Sequence, residues 1–574
     1  WPDVIVDFGR EVYVPWRITE GDVLYRDLQY WNGPLSPYVN SLIFRVFGAS
    51  IMAVEAANLL VIAAITWLAY ALFSRRGGRG PAAAACAVFL ALFAFAQYYW
   101  TGNFNFMAPY SHELTHGTLI ALAGIYALAR YLERRAPVFI FAVGLAAGLA
   151  LLTKLEVTLG VAGAATTGLA LVLWTERPRR ARLARILALF LAGLFIPVLF
   201  FVVYLGQTLG VGAALRGIFG SWLIVTGTDV SAGKFQRDVM GTSDVAGNIL
   251  RMLYVTLWYL ALLVPVAVGY LLRRSPFIKA YGPVLSFVVT AGILLYFMKA
   301  IPWLEVARPL PLFVSTITLA LFAALAAGRF EAGAPARYIP MISFGVFSLA
   351  MLLKMVLNVH VPHYGFALAM PAALLTVHAL LAWAPGAVER ARGPSGVFRS
   401  AVYAAVLVMA VRYATLSAGV YSMKNYTVRG EAGGDVVVGY DPGIKPDGAA
   451  VEAALKEIAG VMAPGETFAV LPEGVMLNYL ARRMNPTGFI NFVPSELTMF
   501  GEGEIQKAFE TRPPDYVILA HKDTSDYGPR FFGRDYGTSL YGWIVSNYSP
   551  FHLIGAPPLR SDRFGILILK RRGP

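Results

Sequence analysis

Twelve apolar segments constrain the fold of this chain more than any other feature. Each comes close to the roughly 20 residues that an α-helix needs to cross a bilayer. Of the 574 residues, 57% are hydrophobic and 14% are charged, whereas globular proteins carry about 25% charged residues. We therefore predict a polytopic α-helical membrane protein. The segments lie near residues 51–73, 81–99, 112–132, 137–152, 157–174, 183–205, 249–272, 277–298, 309–327, 338–357, 364–383 and 398–420.

Arginines predict the orientation of these segments, because short cytoplasmic loops carry an excess of Lys and Arg. Basic residues follow every second segment, and this clustering accounts for the net charge of +14 without a nucleic-acid partner. The intervening segments are then external, and so is everything after about residue 420. The basic loops contain Arg75, Arg76 and Arg79; Arg130, Arg134 and Arg135; residues 176–185; Arg273 and Arg274; Arg329 and Arg337; and Arg390, Arg392 and Arg399.

The chain divides into three parts. Residues 1–50 form a first external loop, 51–420 a transmembrane domain and 421–574 a small external α/β domain. Since residues 1–50 must already be external, we expect a further membrane span upstream that ends just before Asp7. In the last part, apolar runs predict strands at 467–472, 515–521 and 564–570, and an amphipathic period predicts a helix at 449–462 with Asp447 as its N-cap.

Three charges stand among apolar residues near the start, in "VIVDFGREVYV". If this stretch is helical, Asp7, Arg10 and Glu11 share one face, because residues three and four apart are neighbours. They form either a solvated ion-pair cluster or a preorganised carboxylate site at the membrane surface. Ionisable groups at membrane depth commonly mark a functional site, and most of them here fall on the external side.

The sequence "SHELTHG" contains an H-E-x-x-H motif. On a helix, His112 and His116 could both bind zinc while Glu113 acts as a general base. A membrane zinc protease would also need a third ligand, for which only Glu156 or His363 is available. The one cysteine of the chain excludes disulfides and cysteine-based metal sites.

Two cations lie beside carboxylates at external helix ends. Lys154 precedes Glu156, and Arg308 follows Glu305. Each pair is either a local ion pair or part of a site for a lipid phosphate. His363, near another external helix end, is either an interfacial histidine or a member of the same site.

The pattern G-x-x-L-Y-x-D…Y-x-x-G-P-L follows the first acidic residues. Together with an acidic residue early in the first loop, many spans and a C-terminal α/β domain, it resembles the C-type (GT-C fold) membrane glycosyltransferase superfamily. The chain is similar to protein O-mannosyltransferases and aminoarabinose transferases of that superfamily, which also includes oligosaccharyltransferases. The likeness in architecture covers nearly the whole chain, and the motifs cover about the first 160 residues. The pattern comprises Gly21, Leu24, Tyr25, Asp27, Tyr30, Gly33, Pro34 and Leu35.

This resemblance implies an inverting transfer of a sugar from a polyprenyl-phosphate donor to an acceptor hydroxyl. The reaction would take place on the external face of the plasma (inner) membrane, in glycosylation of the cell envelope. Asp7 corresponds to the general base, Arg10 would orient or charge it, and Glu11 would assist it. The acceptor is a protein, a lipid or a glycan. The implied donor- and substrate-binding residues are Arg10, Asp27, Tyr30, His112, Glu113, Lys154, Glu156, Arg308, His363 and Tyr364.

Two departures from the superfamily leave metal use and acceptor type open. The adjacent Asp-Glu pair of the mannosyltransferases is replaced by Asp7 and Glu11, and the second-loop acidic motif of the oligosaccharyltransferases is absent. A divalent cation remains open, with His112, Glu113 and His116 as candidate ligands. The alternatives to a glycosyltransferase are a zinc protease that uses H-E-x-x-H, and a non-catalytic transporter or structural subunit.

Overall fold

The computed structural model of the protein describes residues 2–98, 101, 104–227, 233–272, 274–328, 331, 333–432 and 434–573. Arg273 and Arg329, on which part of the predicted topology depends, lie outside the described residues.

Helices dominate the first 422 residues. Each of the twelve predicted apolar segments contains a helix, so the prediction of a polytopic helical protein is confirmed. The helices are α1 (Phe8–Thr19), α2 (Leu35–Phe47), α3 (Ile51–Gly77), α4 (Arg79–Val88), α5 (His112–Arg134), α6 (Val138–Leu151), α7 (Leu155–Glu176), α8 (Arg180–Leu209), α9 (Val211–Ile218), α10 (Gly220–Gly227), α11 (Lys234–Met240), α12 (Val245–Leu260), α13 (Val264–Leu271), α14 (Pro276–Tyr296), α15 (Leu310–Gly328), α16 (Ala334–Leu352), α17 (Met370–Ala382), α18 (Ala384–Arg390) and α19 (Ser395–Ser422).

Within the described residues, nine helical stretches are long and apolar enough to cross a membrane by themselves. The other three predicted spans differ for simple reasons. The stretch from α4 to residue 94 and helix α6 are shorter, and the 14 residues of α6 cover only about 21 Å. Helix α5 starts with the polar sequence HELTH.

Helix α1 lies between the membrane helices and the carboxy-terminal domain. Its apolar residues, among them Phe8, Val12 and Tyr13, are fully buried. Gly9 permits a very close approach, since a Cβ there would lie 2.4 Å from the backbone nitrogen of Met476. The Gly33 of the G-P-L pattern is similarly confined, because its Cβ would lie 2.2 Å from the carbonyl of Leu152. Gly9 and Gly33 therefore allow the first 50 residues to pack closely against Met476 in the carboxy-terminal domain and against Leu152 at the end of α6.

The carboxy-terminal domain is a small α/β unit, as predicted. Its four-stranded sheet has the order β3 (Phe468–Leu471), β4 (Tyr516–Ala520), β6 (Gly565–Arg571) and β5 (Tyr548–Gly555), with β3 and β4 parallel and the other neighbours antiparallel. The three predicted strands and the predicted helix are confirmed, although Asp447 is the first residue of that helix and Pro446 its N-cap. The elements are β1 (Tyr426–Arg429), β2 (Val436–Gly439), α20 (Asp447–Val461), β3 (Phe468–Leu471), α21 (Val475–Leu480), α22 (Pro494–Phe500), α23 (Glu502–Thr511), β4 (Tyr516–Ala520), α24 (Thr538–Asn547), β5 (Tyr548–Gly555) and β6 (Gly565–Arg571).

Candidate active site

Asp7 has an unusual backbone conformation at the start of α1. Its φ of 56° and ψ of −63°, with a 2.7 Å hydrogen bond from the Phe8 N–H to the Val6 carbonyl, define a γ-turn. This form of the turn is rare and strained, and strain of this kind tends to occur at functional sites. The Asp7 carboxylate does not cap the helix. The turn instead presents the side chain away from the helix axis.

The carboxy-terminal domain holds this turn from the other side. The Asp7 N–H donates to Oε1 of Glu473 at 2.9 Å, and Oε2 of Glu473 pairs with Lys522. Glu473 follows β3 and Lys522 follows β4, which are adjacent parallel strands. Since the carboxyl ends of parallel strands form a common crevice, the sheet brings these two side chains together.

Burial raises the pKa of Asp7 to about 7; the Glu473 carboxylate adds to the rise, and Arg10 and Lys522 oppose it. Within the described part of the chain, the Asp7 carboxylate accepts no hydrogen bond. A carboxylate that titrates near neutrality and has no hydrogen-bond donor is suited to accept a proton.

Glu11, one turn further along α1, has the opposite environment. Arg10 donates to its Oε1 from Nε at 3.0 Å and from Nη2 at 2.9 Å. The His112 N–H donates to its Oε2 at 2.8 Å, and Nδ1 of His112 lies 2.7 Å from the same oxygen. Burial favours the protonated form, but Arg10 and His112 outweigh it and lower the pKa of Glu11 to about 2. Glu11 therefore joins α1 to α5 as a permanently ionised group.

Arg10 also contributes to the contact between α1 and α5. Besides Glu11, its Nη2 donates to the Tyr110 carbonyl at 2.7 Å, and its guanidinium lies 5.0 Å from the ring centre of Trp31. Its ion pair is thus with Glu11 rather than with Asp7. This differs from the sequence-based interpretation that Arg10 orients Asp7. The guanidinium group instead hydrogen-bonds to the buried carboxylate of the adjacent residue, Glu11, whose geometry it fits.

A further carboxyl group, Glu496, belongs to the same electrostatic neighbourhood. It lies at the start of α22 and accepts a hydrogen bond from Asn491 at 3.0 Å. Burial raises its pKa to about 8, with Arg10 opposing the rise and Glu473 and Asp7 adding to it. At neutral pH Glu496 is therefore mostly protonated and available as a hydrogen-bond donor.

Two lysines and two tyrosines line the membrane side of the site. Nζ of Lys354 lies 2.7 Å from Oε1 of Glu156 and 5.1 Å from the ring centre of Tyr364. Nζ of Lys154 lies 4.6 Å from the ring centre of Tyr110. The rings of Tyr110 and Tyr364 contact each other at 5.8 Å. Lys154, Glu156 and Tyr364, all predicted site residues, thus meet around a lysine that the prediction did not include.

Arg308 and His363 lie next to this group but are engaged by protein atoms. The buried Arg308 pairs with Glu305 and donates to Oδ1 of Asn248 at 3.0 Å. The Nε2 of His363 lies 3.1 Å from the Val239 carbonyl, and its Nδ1 accepts from the Gly365 N–H at 2.9 Å. These contacts fix the loop that carries Tyr364.

Two apolar cavities adjoin Glu305 and Arg308. They have volumes of about 130 Å³ and 100 Å³ and share Tyr259, Val306 and Met409 in their walls. Their other lining residues are almost all apolar and come from α4, α12 to α15, α17 and α19. Because Val306 precedes Arg308 by two residues, the apolar space begins close to a buried cation.

The H-E-x-x-H residues point to separate partners. Nε2 of His112 lies 3.1 Å from Nδ2 of Asn58, Nδ1 of His116 lies 3.0 Å from Oγ of Ser36, and Glu113 accepts from Tyr30 and from Ser111. Among the described residues no three His, Cys, Asp or Glu side chains converge as metal ligands. Both ring nitrogens of His112 thus have protein partners, Asn58 and Glu11, and the motif residues connect α5 to neighbouring segments.

Asp27 lies apart from this cluster. Its carboxylate pairs with the exposed Arg26 at 2.8 Å and accepts from the Val23 N–H. Its contacts are thus those of a loop-stabilising residue. Tyr30, in contrast, reaches the start of α5 through Glu113.

Sequence reasoning missed the residues that come from distant segments. Glu473, Glu496, Lys522 and Lys354 all contribute to the site. The sequence did contain clues to three of them. Lys354 is a lysine within an apolar span, and Glu473 and Lys522 follow two predicted strands. No pattern in the sequence indicated that those strands are parallel neighbours.

Comparison with known proteins agrees with the architecture. Residues 32–204 match the family model described as dolichyl-phosphate-mannose-protein mannosyltransferase. The structure resembles ArnT from Cupriavidus metallidurans bound to undecaprenyl phosphate, with a TM-score of 0.50 and 13% identity over 99% of this chain and 94% of that one. It also matches the Archaeoglobus fulgidus oligosaccharyltransferase in complex with zinc and sulfate, with a TM-score of 0.43 and 13% identity over 98% of this chain and 69% of that one. No curated protein sequence matches the chain significantly.

These findings confirm the predicted resemblance and the predicted fold class, and they agree with the prediction of a glycosyltransferase. The chain is an integral membrane protein that shares its fold with ArnT from Cupriavidus metallidurans, and its residues 32–204 match the family model of dolichyl-phosphate-mannose-protein mannosyltransferases.

Proposed function

We propose that the protein transfers a sugar from a polyprenyl-phosphate donor to an acceptor hydroxyl, with inversion and with Asp7 as the general base. The observation that carries this proposal is the Asp7 carboxylate itself. It is held in a strained turn, its pKa is raised to about 7, and it lies within a fold shared with an undecaprenyl-phosphate-binding protein.

The base acts on the acceptor. As the acceptor oxygen attacks the anomeric carbon, Asp7 accepts its proton, a contribution typically worth about 10²–10⁴-fold. Glu11 assists only indirectly, by keeping α1 fixed to α5. The protonated Glu496 donates a hydrogen bond to a sugar or acceptor hydroxyl.

The leaving group is a lipid phosphate, so the site needs cations where its negative charge develops. Lys154 and Lys354 supply them, because both stand beside the aromatic wall of Tyr110 and Tyr364. Arg308 adds a fixed positive charge at the entrance to the apolar cavities. Those cavities receive the first isoprene units of the lipid.

The orientation follows from the arginine pattern. The Asp7 end of the helical bundle and the carboxy-terminal domain face the outside of the plasma membrane, the periplasm in a cell with two membranes. A lipid-linked donor suits that compartment because soluble nucleotide sugars are cytoplasmic. The acceptor is a protein, a lipid or a glycan of the cell envelope.

The test measures release of polyprenyl phosphate, which is a product whatever the acceptor is. The protein in vesicles is supplied with polyprenyl-phosphate mannose or polyprenyl-phosphate aminoarabinose and with membrane extract as acceptor source. We expect release from at least one donor, a loss of about 10²-fold or more for Asp7→Asn, and nearly unchanged release for the control Asp27→Asn. An Asp7→Asn protein that releases the product at the wild-type rate would contradict the assignment of the base.

A further inference from the structure

A large cavity lies far from Asp7, between the ends of α5, α6 and α8. Its volume is about 530 Å³, and its walls include Arg135, Arg182 and Arg185 together with Glu176. We call it the arginine cavity. Three guanidinium groups and one carboxylate leave a net charge of about two positive units in one concave site.

The guanidinium groups are held in place while remaining accessible. Glu176, whose side chain is only 8% exposed, pairs with Arg135 and, at 2.7 Å, with Arg182, whose side chains are 46% and 49% exposed. Arg182 also donates to the Tyr131 hydroxyl at 3.2 Å. Glu176 thus holds Arg135 and Arg182 from the buried side of the cavity. The N–H groups of these arginines that face away from Glu176 can donate to a ligand.

The third cation, Arg185, has no ion pair or hydrogen bond within the described part of the chain. It lies three residues after Arg182 on α8, and the cavity residues Ile186 and Leu189 follow on the same helical face. The wall formed by α8 is therefore cationic at its start and apolar further along. The membrane orientation alone does not explain why these arginines line a cavity, because arginines at any position in the cytoplasmic loop would set the same orientation.

The cavity is one membrane thickness from the active site. Helix α5 starts at His112, which contacts Glu11, and its 23 residues cover about 35 Å before Arg135. The hydrocarbon core of a bilayer is about 30 Å thick. The arginine cavity therefore opens at the opposite membrane surface from Asp7.

We propose that the arginine cavity binds a phosphate group, either that of an anionic phospholipid in the leaflet opposite to Asp7 or a free phosphate. Guanidinium groups match phosphate oxygens in a bidentate geometry, and basic pockets between membrane helices recognise anionic head groups. Ile186 and Leu189 provide an apolar surface for an acyl chain. This site is independent of the sugar transfer.

The experiment follows the thermal unfolding of the full chain in a neutral detergent during titration with phosphatidylglycerol, phosphatidylcholine or inorganic phosphate. We expect phosphatidylglycerol to raise the unfolding temperature saturably and phosphatidylcholine to leave it unchanged. The double variant Arg182→Gln/Arg185→Gln should need about tenfold more phosphatidylglycerol for half of the effect. Arg185→Gln alone, which breaks no ion pair or hydrogen bond of the described residues, should show part of the same loss in a normally folded protein.

The matched control is Arg390→Gln/Arg399→Gln, which removes two exposed arginines from another basic loop and should titrate like the wild type. If inorganic phosphate produces the same arginine-dependent shift, the ligand is a free phosphate; if only phosphatidylglycerol does, it is a lipid. A control that loses as much as the cavity variants, cavity variants that titrate like the wild type, or the absence of any shift would each overturn the proposal.

Discussion

Helix α1 presents two carboxylates, four residues apart, to two different parts of the molecule. Asp7 faces the carboxy-terminal domain, accepts no hydrogen bond in the described structure and has a pKa of about 7. Glu11 faces α5, is bonded by Arg10 and His112 and has a pKa of about 2. The difference shows that the same side-chain chemistry becomes reactive or structural according to how many donors the surrounding segments direct at it.

The largest expected effect tests the structural side of this comparison. Glu11→Gln removes the charge that Arg10 and His112 require, and breaking a buried pair of this kind costs about 3–5 kcal/mol. Asp7→Asn, which disrupts no bonded pair and removes a buried charge, should not lower the stability at neutral pH and should raise it if anything. Unfolding by heat in detergent measures both variants; equal stability losses would remove the distinction between the two carboxylates.

The next effect concerns the contact between α1 and the carboxy-terminal domain. Gly9→Ala places a Cβ 2.4 Å from the Met476 nitrogen, so overpacking should destabilise the protein by about 1–3 kcal/mol and reduce sugar transfer by moving Glu473 away from Asp7. The control is Gly460→Ala, a helical position with nothing within 4 Å of the new Cβ. A fully active and stable Gly9→Ala protein would show that the close contact is unnecessary.

Asp7 and Glu11 should contribute to the pH dependence of stability with opposite signs. Transfer requires ionised Asp7, so its rate should fall about tenfold between pH 6 and pH 5, where Glu11 stays ionised. Stability behaves differently. Because native Asp7 keeps a proton that the unfolded chain loses above about pH 4, its contribution to stability declines as the pH rises from about 4 to 7.

Asp7→Asn should remove that decline. The contribution of Glu11 is present above its unfolded pKa and is lost only as the pH falls towards 2. Unfolding temperatures of the wild type and Asp7→Asn between pH 4.5 and 7.5 provide the measurement. Identical slopes for the two proteins would contradict the raised pKa of Asp7.

The smallest effect involves a third carboxylate of the first 50 residues. Asp27 forms a partly exposed pair with Arg26, so Asp27→Asn should cost at most about 1 kcal/mol and should leave donor binding unchanged. Equilibrium binding of undecaprenyl phosphate and thermal unfolding would both be measured. A large loss of binding would return Asp27 to the active site.

The sequence predicted local features well and long-range ones poorly. Apolar length identified the helices, and the stretch that contains Asp7, Arg10 and Glu11 forms the start of helix α1, with Asp7 just before it. The sequence did not reveal that Arg10 pairs with its neighbour Glu11 rather than with Asp7, since helical spacing favours the Asp7 pairing and adjacent residues do not face each other on a helix. Glu473, Lys522 and Lys354 escaped prediction because their positions depend on how the sheet and the membrane helices pack, which no local pattern encodes.

The hydrogen bond from Asp7 to Glu473 joins residues 466 positions apart, which has a consequence for biosynthesis. Asp7 is synthesised long before Glu473, its hydrogen-bond partner in the carboxy-terminal domain. A nascent chain whose membrane helices have already inserted still lacks Glu473 and Lys522, so the reaction centre is completed only when the final domain has been translated and has docked. With Asp7 as the proposed base, a chain that is truncated or stalled before that point is expected to occupy the membrane without transferring sugar.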